Sequence, residues 1–275
     1  MTQTFFTAII ENTFLQYSII AIILISIAAG IIGSLLVSNN IVFIGGGVAH
    51  CAYGGIGIAI FCGFSVLLGA SLSALFVAFC LGFVKKYYSR YIDVFNSVLW
   101  AFGMALGVLF LNLSPQVGVD VESYLFGSII SIDKDLLWLI FYYNCFLVGF
   151  VYIYYKEILG ISYDYEFCLL KNIKAQIFTN MIFIFIAIGI ILCMQISGLI
   201  LVLAILSIPA YIANLFICTL KAQMLFTSLL TCIFMLAGLY VAYRYNISPG
   251  ASITLVSVFS MILILIIYKI RMLRG

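Results

Sequence analysis

No lysine or arginine precedes Lys85, and up to that point the chain is a series of apolar runs long enough to cross a bilayer. About 20 apolar residues suffice to cross the hydrocarbon core as a helix. Segments of that kind fall at roughly 14–37, 41–62, 64–84, 93–113, 135–155, 175–194, 197–217, 223–243 and 251–268. Hydrophobic residues fill 66% of the 275 positions and charged ones 8%, too little polar surface to cover a soluble domain. The expected fold is an all-α polytopic membrane protein of about nine transmembrane helices, one transmembrane domain over 1–275. The first segment lacks a basic flank and is too long for a secretory signal, so it reads as a retained span. A formal charge of +3 without any basic stripe excludes nucleic acid as the expected partner.

Lys and Arg accumulate on the cytoplasmic side of membrane proteins. Nine spans place Lys85, Lys86, Arg90, Lys156, Lys171, Lys174, Lys221, Lys269, Arg271 and Arg274 together on one side. Only Lys134 and Arg244 dissent, while Asp120, Glu122, Asp133 and Asp135 gather on the other. The orientation predicted is N-terminus out and C-terminus in.

The second segment contains Gly45 to Ala59, a glycine-crowded run around His50, the sole histidine. On a helix Gly46, His50 and Gly54 share one face, bordered by Gly47 and Tyr53. Counting from the cytoplasmic turn Ser38-Asn39-Asn40, His50 lies near mid-membrane. An ionisable group at that depth is costly and usually faces a protein interior or a water-filled path. Position alone fits a packing histidine bonded to a carbonyl equally well. Gly46, Gly47, Tyr53 and Gly54 are the expected path-lining neighbours.

The fourth segment holds Gly103-x-x-x-Gly107, a spacing that permits close helix packing. Asp93 and Asn96 open that segment, as helix caps or as lining of an inner exit. Ser123 to Ser128, after Asp120 and Glu122, is too short and mixed to span and reads as re-entrant or interfacial. Pro209 should kink or end the seventh helix. The stretch Ala210 to Lys221 then offers a cytoplasmic docking element through Ala210, Ala213, Asn214, Leu215, Thr219, Leu220 and Lys221. Seven of the eight cysteines lie in or beside apolar segments as small hydrophobes, and Cys168 falls in a polar loop. There is no C-x-x-C pair, and no G-x-x-x-x-G-K-[ST] to hold ATP phosphates.

Five pieces in order resemble one family: Ala28 to Ser34, the G-x-x-x-x-H run Gly45–His50, Tyr124 to Ser128, Leu206 to Ala210, and Ser248 to Ile253. Together they resemble the membrane permease subunit of bacterial ABC importers for zinc, manganese or iron, over roughly residues 14 to 268. The resemblance implies a multi-pass homodimer in the cytoplasmic (inner) membrane, two copies of a cytoplasmic ATP-binding subunit, and an extracytoplasmic metal-binding protein. It implies no catalytic residue and no permanently bound cofactor; the divalent metal ion is the substrate, with His50 as a transient ligand. The chain departs from the family pattern twice. An acidic residue four before the histidine is replaced by Gly46, and an arginine after I-P-A-x-x-A by Asn214. Cys51 projects about 100° from His50 on a helix, a weak substitute for the lost ligand. A permease of the same architecture for a metal chelate or small organic solute stands as the alternative. A membrane-embedded enzyme or assembly factor would need clustered catalytic polar groups that the sequence does not offer.

Overall fold

A computed structural model describes residues 12–114, 132–171 and 174–274, and the expected segment Ser123 to Ser128, with Asp120 and Glu122, lies outside them. The helices are α1 (Thr13–Ser38), α2 (Val42–Cys62), α3 (Val66–Tyr87), α4 (Ile92–Leu113), α5 (Lys134–Ile153), α6 (Tyr155–Tyr163), α7 (Tyr165–Leu170), α8 (Ala175–Phe216), α9 (Leu220–Tyr245) and α10 (Pro249–Arg274). A 3-10 turn, Ser89–Tyr91, leads into α4, and no strand occurs among the described residues. Helices satisfy their own backbone polar groups, which is what hydrocarbon demands of a spanning segment. Eight helices among the described residues are long and apolar enough to cross: α1 to α5, α8 over Ala175–Leu199, α9 and α10. The seventh expected segment is the shorter helix Leu201–Phe216. At 1.5 Å per residue it reaches roughly 24 Å, less than the ~30 Å of the hydrocarbon core.

Gly63 divides the second and third segments: its φ of 75° ends α2, and its N–H bonds Ala59 O. Asn246 ends α9 in the same left-handed conformation (φ 52°), and Pro249 opens α10, where a missing N–H costs nothing.

The helix does not end at Pro209. The helix runs through Pro209 to Phe216, and the non-helical residue is Gly198, at φ 78° and ψ 166°. Proline removes one N–H locally; Gly198 takes a backbone conformation essentially closed to other residues. Replacing Gly198 with alanine should therefore destabilise the chain by ~1–3 kcal/mol. Thermal unfolding of the detergent-solubilised protein would register the loss, and an unchanged midpoint would remove the strain argument.

The chain forms two compact units. One contains α1, α5 up to Cys145, α8 from Gln195, α9 and α10. In it a methyl group on Gly33 would overlap the Leu206 carbonyl, and one on Gly30 would overlap Ser228. The small residues between Ala28 and Ser34 thus hold α1 against α8 and α9. Ser34 Oγ donates to Thr227 Oγ1 at 3.2 Å, and Asn144 Nδ2 donates to Leu24 O at 2.9 Å. Gly238 gives α10 close approach to α9 at Ile253.

The other unit contains α2, α3, α4, the end of α5, α6, α7 and α8 up to Met194. Near the start of α8, Gln176 Nε2 donates to Gly82 O at 3.0 Å and to Asn180 Oδ1 at 2.9 Å, while Tyr165 donates to Gln176 Oε1 at 3.1 Å. Cys168 is not in a polar loop. It lies in α7, 1% exposed, packed with Ile161 and Ala175, because six residues that read as polar linker coil into a short helix. Burial, reinforced by nearby Asp164, pushes its thiol pKa up. All eight cysteines are free thiols.

Candidate functional site

The site is built on α2, which lies between α3 and α4 within its unit. Glycines set these contacts. A Cβ on Gly54 would lie 2.6 Å from Gly103 O, and one on Gly57 would lie 2.6 Å from Gly107 O. Gly55 faces α3 at Gly69 and Ser73. In lipid, where apolar burial drives helices together weakly, such backbone approach is the main source of packing energy. The Gly103–Gly107 spacing is thus the ridge on which α2 rests. Tyr53, 5% exposed, packs its ring on Gly107.

His50 is half-buried on the face turned to α4. Its ring stacks on Trp100, with centroids 4.2 Å apart and planes inclined by 17°. The six-membered ring of Trp100 also covers Gly46, so closely that a Cβ there would overlap it. The volume that an acidic side chain at position 46 would occupy is filled from α4 by an indole. One turn before Trp100 on α4, Asn96 covers Gly47 in the same way. Gly46, Gly47 and His50 therefore face Trp100 and Asn96, while Tyr53 and Gly54 face the Gly103–Gly107 ridge.

Asn96 does not cap α4. It is 1% exposed, and its Nδ2 donates to Phe43 O on α2 at 2.8 Å. Asp93 is exposed, and α4 starts without a side-chain cap. Two polar atoms on this seam have no hydrogen-bond partner: His50 Nδ1 and Asn96 Oδ1. A buried polar atom left unpaired costs about 1–3 kcal/mol, so a pair of them needs a reason. Cys51 projects elsewhere, bonding Leu99 O at 2.8 Å. Among the described residues no three His, Cys, Asp or Glu converge on a point. The seam offers sparse, neutral donors rather than a closed cage. Beside it a mostly apolar cavity of ≈ 360 Å³ is lined by Cys51, Gly54, Leu72, Phe76, Phe102 and Leu106 among others.

Sequence reasoning missed Trp100. Its only advance signal was the glycine at 46, which leaves a volume for something large. In the stretch expected to dock a partner, Ala210, Ala213 and Leu220 are fully buried; Leu215 is half-buried, and Asn214, Thr219 and Lys221 are exposed.

These features define an all-helical, multi-pass membrane protein with one histidine in a glycine-built seam. The chain belongs to the ABC 3 transport family, whose pattern matches residues 11–268. It is 39% identical over 248 residues to an uncharacterized membrane protein of Synechocystis, covering 90% of this chain and 88% of that one. It is 31% identical to a probable metal transport system membrane protein of Chlamydia trachomatis, over 84% of this chain and 80% of the other. Identity to the manganese transport system membrane protein MntC of Halalkalibacterium halodurans is 25%, over 92% and 87%. The fold is similar to PsaBC of Streptococcus pneumoniae in complex with Fab, with a TM-score of 0.83, 21% identity and 94% of each chain covered.

Proposed function

We propose that this chain is the membrane-spanning subunit of an ABC importer for a divalent transition-metal ion. The observation that carries the reading is His50: an intramembrane imidazole with an unpaired Nδ1, in a chain similar over most of its length to metal and manganese transport proteins. Imidazole nitrogen is a general ligand for such ions. A path site must hold the ion weakly enough to release it, which suits a single histidine better than a full coordination cage. The chain carries no P-loop, so the energy comes from ATP-binding subunits that dock on the cytoplasmic side. Asn214, Thr219 and Lys221 are the exposed members of the proposed docking stretch, anchored by buried Ala210, Ala213 and Leu220. Two copies of the permease, two ATP-binding subunits and an extracytoplasmic metal-binding protein make up the working assembly. Its place is the bacterial inner membrane.

The test is accumulation of zinc, manganese and iron by cells expressing the permease with its ATP-binding subunit and binding protein, against cells lacking the permease. Permease-dependent accumulation of one metal is expected. A second reading, import of a metal chelate, is favoured by the cavity beside the seam; uptake of a chelated but not a free ion would select it.

The orientation has its own check. With the N-terminus out and the short helix Leu201–Phe216 completing a crossing, Cys62 at the end of α2 lies outside and Cys218 between α8 and α9 lies inside, and both are exposed. A membrane-impermeant maleimide should label Cys62 in intact cells and Cys218 only after permeabilisation. The reverse pattern would invert the topology.

A further inference from the structure

The face of α2 around His50 lacks the oxygen ligand that a carboxylate at position 46 would supply. A carboxylate there would also meet Trp100. An oxygen is nevertheless present on the same seam, contributed by the facing helix. Asn96 is 1% exposed, and its Nδ2 is committed to Phe43 O at 2.8 Å, which fixes the direction of the amide. Its Oδ1 is left buried and unpartnered beside Gly47, and only a glycine leaves room for it. His50 lies three residues beyond Gly47, on the same side of α2. With the ring proton on Nε2, His50 Nδ1 presents a lone pair, and that atom too is buried without a partner. One seam thus carries an imidazole nitrogen and an amide oxygen, both ready to accept and neither satisfied.

Resting on the metal-importer reading, we propose that Asn96 Oδ1 on α4 and His50 Nδ1 on α2 form the coordinating pair for the transported ion, with Trp100 closing its side. Imidazole nitrogen and amide oxygen both ligate divalent ions of the first transition row. Neither carries a charge, so the pair leaves the ion's charge uncompensated and holds it less firmly than a carboxylate would. Asn96 is thereby a specificity-determining residue: its hard oxygen favours manganese over soft ions such as cadmium.

The test uses the full permease assembled with its ATP-binding subunit and binding protein, assayed for uptake of Mn²⁺ and of Cd²⁺. Four substitutions are compared: Asn96→Ala, Asn96→Cys, His50→Ala, and Asn144→Ala as a control. Asn144 is a buried asparagine that likewise bonds a helix carbonyl through Nδ2 and leaves Oδ1 unpartnered, but it belongs to the unit without His50, so it isolates what the imidazole on the seam adds. Asn96→Ala should lower Mn²⁺ uptake about tenfold in a complex that still assembles, in the range set by altered metal-site partners. Asn96→Cys, which exchanges oxygen for a soft thiolate, should raise the Cd²⁺-to-Mn²⁺ uptake ratio about tenfold. A merely structural asparagine would not move that ratio, and Asn144→Ala should leave it at the wild-type value. If His50→Ala abolishes uptake while both Asn96 variants keep wild-type uptake and ratio, the pairing is overturned and the importer reading stands. If His50→Ala also transports both ions normally, the pairing and the placement of the path at His50 fall together.

Discussion

His50→Ala should cut metal uptake by roughly ten- to a hundredfold while the permease still assembles with its partners. The range is that of losing a supporting group at a metal site, so it is a lower bound for losing a ligand. Assembly should survive because the α2–α4 contact rests on Gly54, Gly57, Gly103 and Gly107, not on the imidazole. What the substitution removes from the fold is the stack on Trp100, worth about 0.5–1.5 kcal/mol. Uptake and size-exclusion profiles of the complex, taken on the same preparation, separate the two effects. Normal uptake would reduce His50 to a packing residue. Loss of the assembled peak would mean that the stack carries more of the fold than its geometry accounts for.

The second large effect concerns Gly46. Placing an acid four residues before His50 with Gly46→Asp should not by itself build a two-ligand site, because the new Cβ would run into the Trp100 ring. Overpacking of this kind costs about 1–3 kcal/mol, and a carboxylate forced against an indole without a partner adds to it. Trimming the ring with Trp100→Ala frees the volume and lets the carboxylate sit one turn from His50 on the same face. The double variant should therefore be more stable than the sum of the single losses, a coupling expected between residues in contact. Its metal affinity should also exceed wild type, since a carboxylate replaces a hydrocarbon wall. Thermal midpoints of the four solubilised proteins close the cycle. Additive midpoints, or a Gly46→Asp chain as stable as wild type, would show that Trp100 does not compete for that space.

The spans were legible because hydrocarbon imposes a length and a composition that few other environments share, so α1 to α5, α9 and α10 follow from their apolar runs. The turn at Gly63 and the start of α10 at Pro249 were marked by residues with few alternative uses. The break in α8 was hidden for the opposite reason. Gly198 is one of 22 glycines, and nothing local separates a strained glycine from a packing one, whereas Pro209 announces itself and is absorbed. At the site, His50 was visible as the only histidine of the chain and Gly46 as a departure from pattern. Trp100 was not, and Asn96 stood out only as a cap or as lining of an inner exit, since their roles depend on which turn of α4 lies against which turn of α2. That register is set by the glycine contacts along the whole seam. Cys168 was misplaced because a helix of six residues has too few turns to show a period in the sequence.

The central claim is that a free divalent metal ion crosses through this chain at the expense of ATP. It is tested most directly in proteoliposomes containing the permease and its ATP-binding subunit, with metal-loaded binding protein and radioactive manganese outside. Manganese accumulation that requires ATP and is lost with His50→Ala is the expected result. Sustained ATP hydrolysis without entry of manganese, zinc or iron would contradict it.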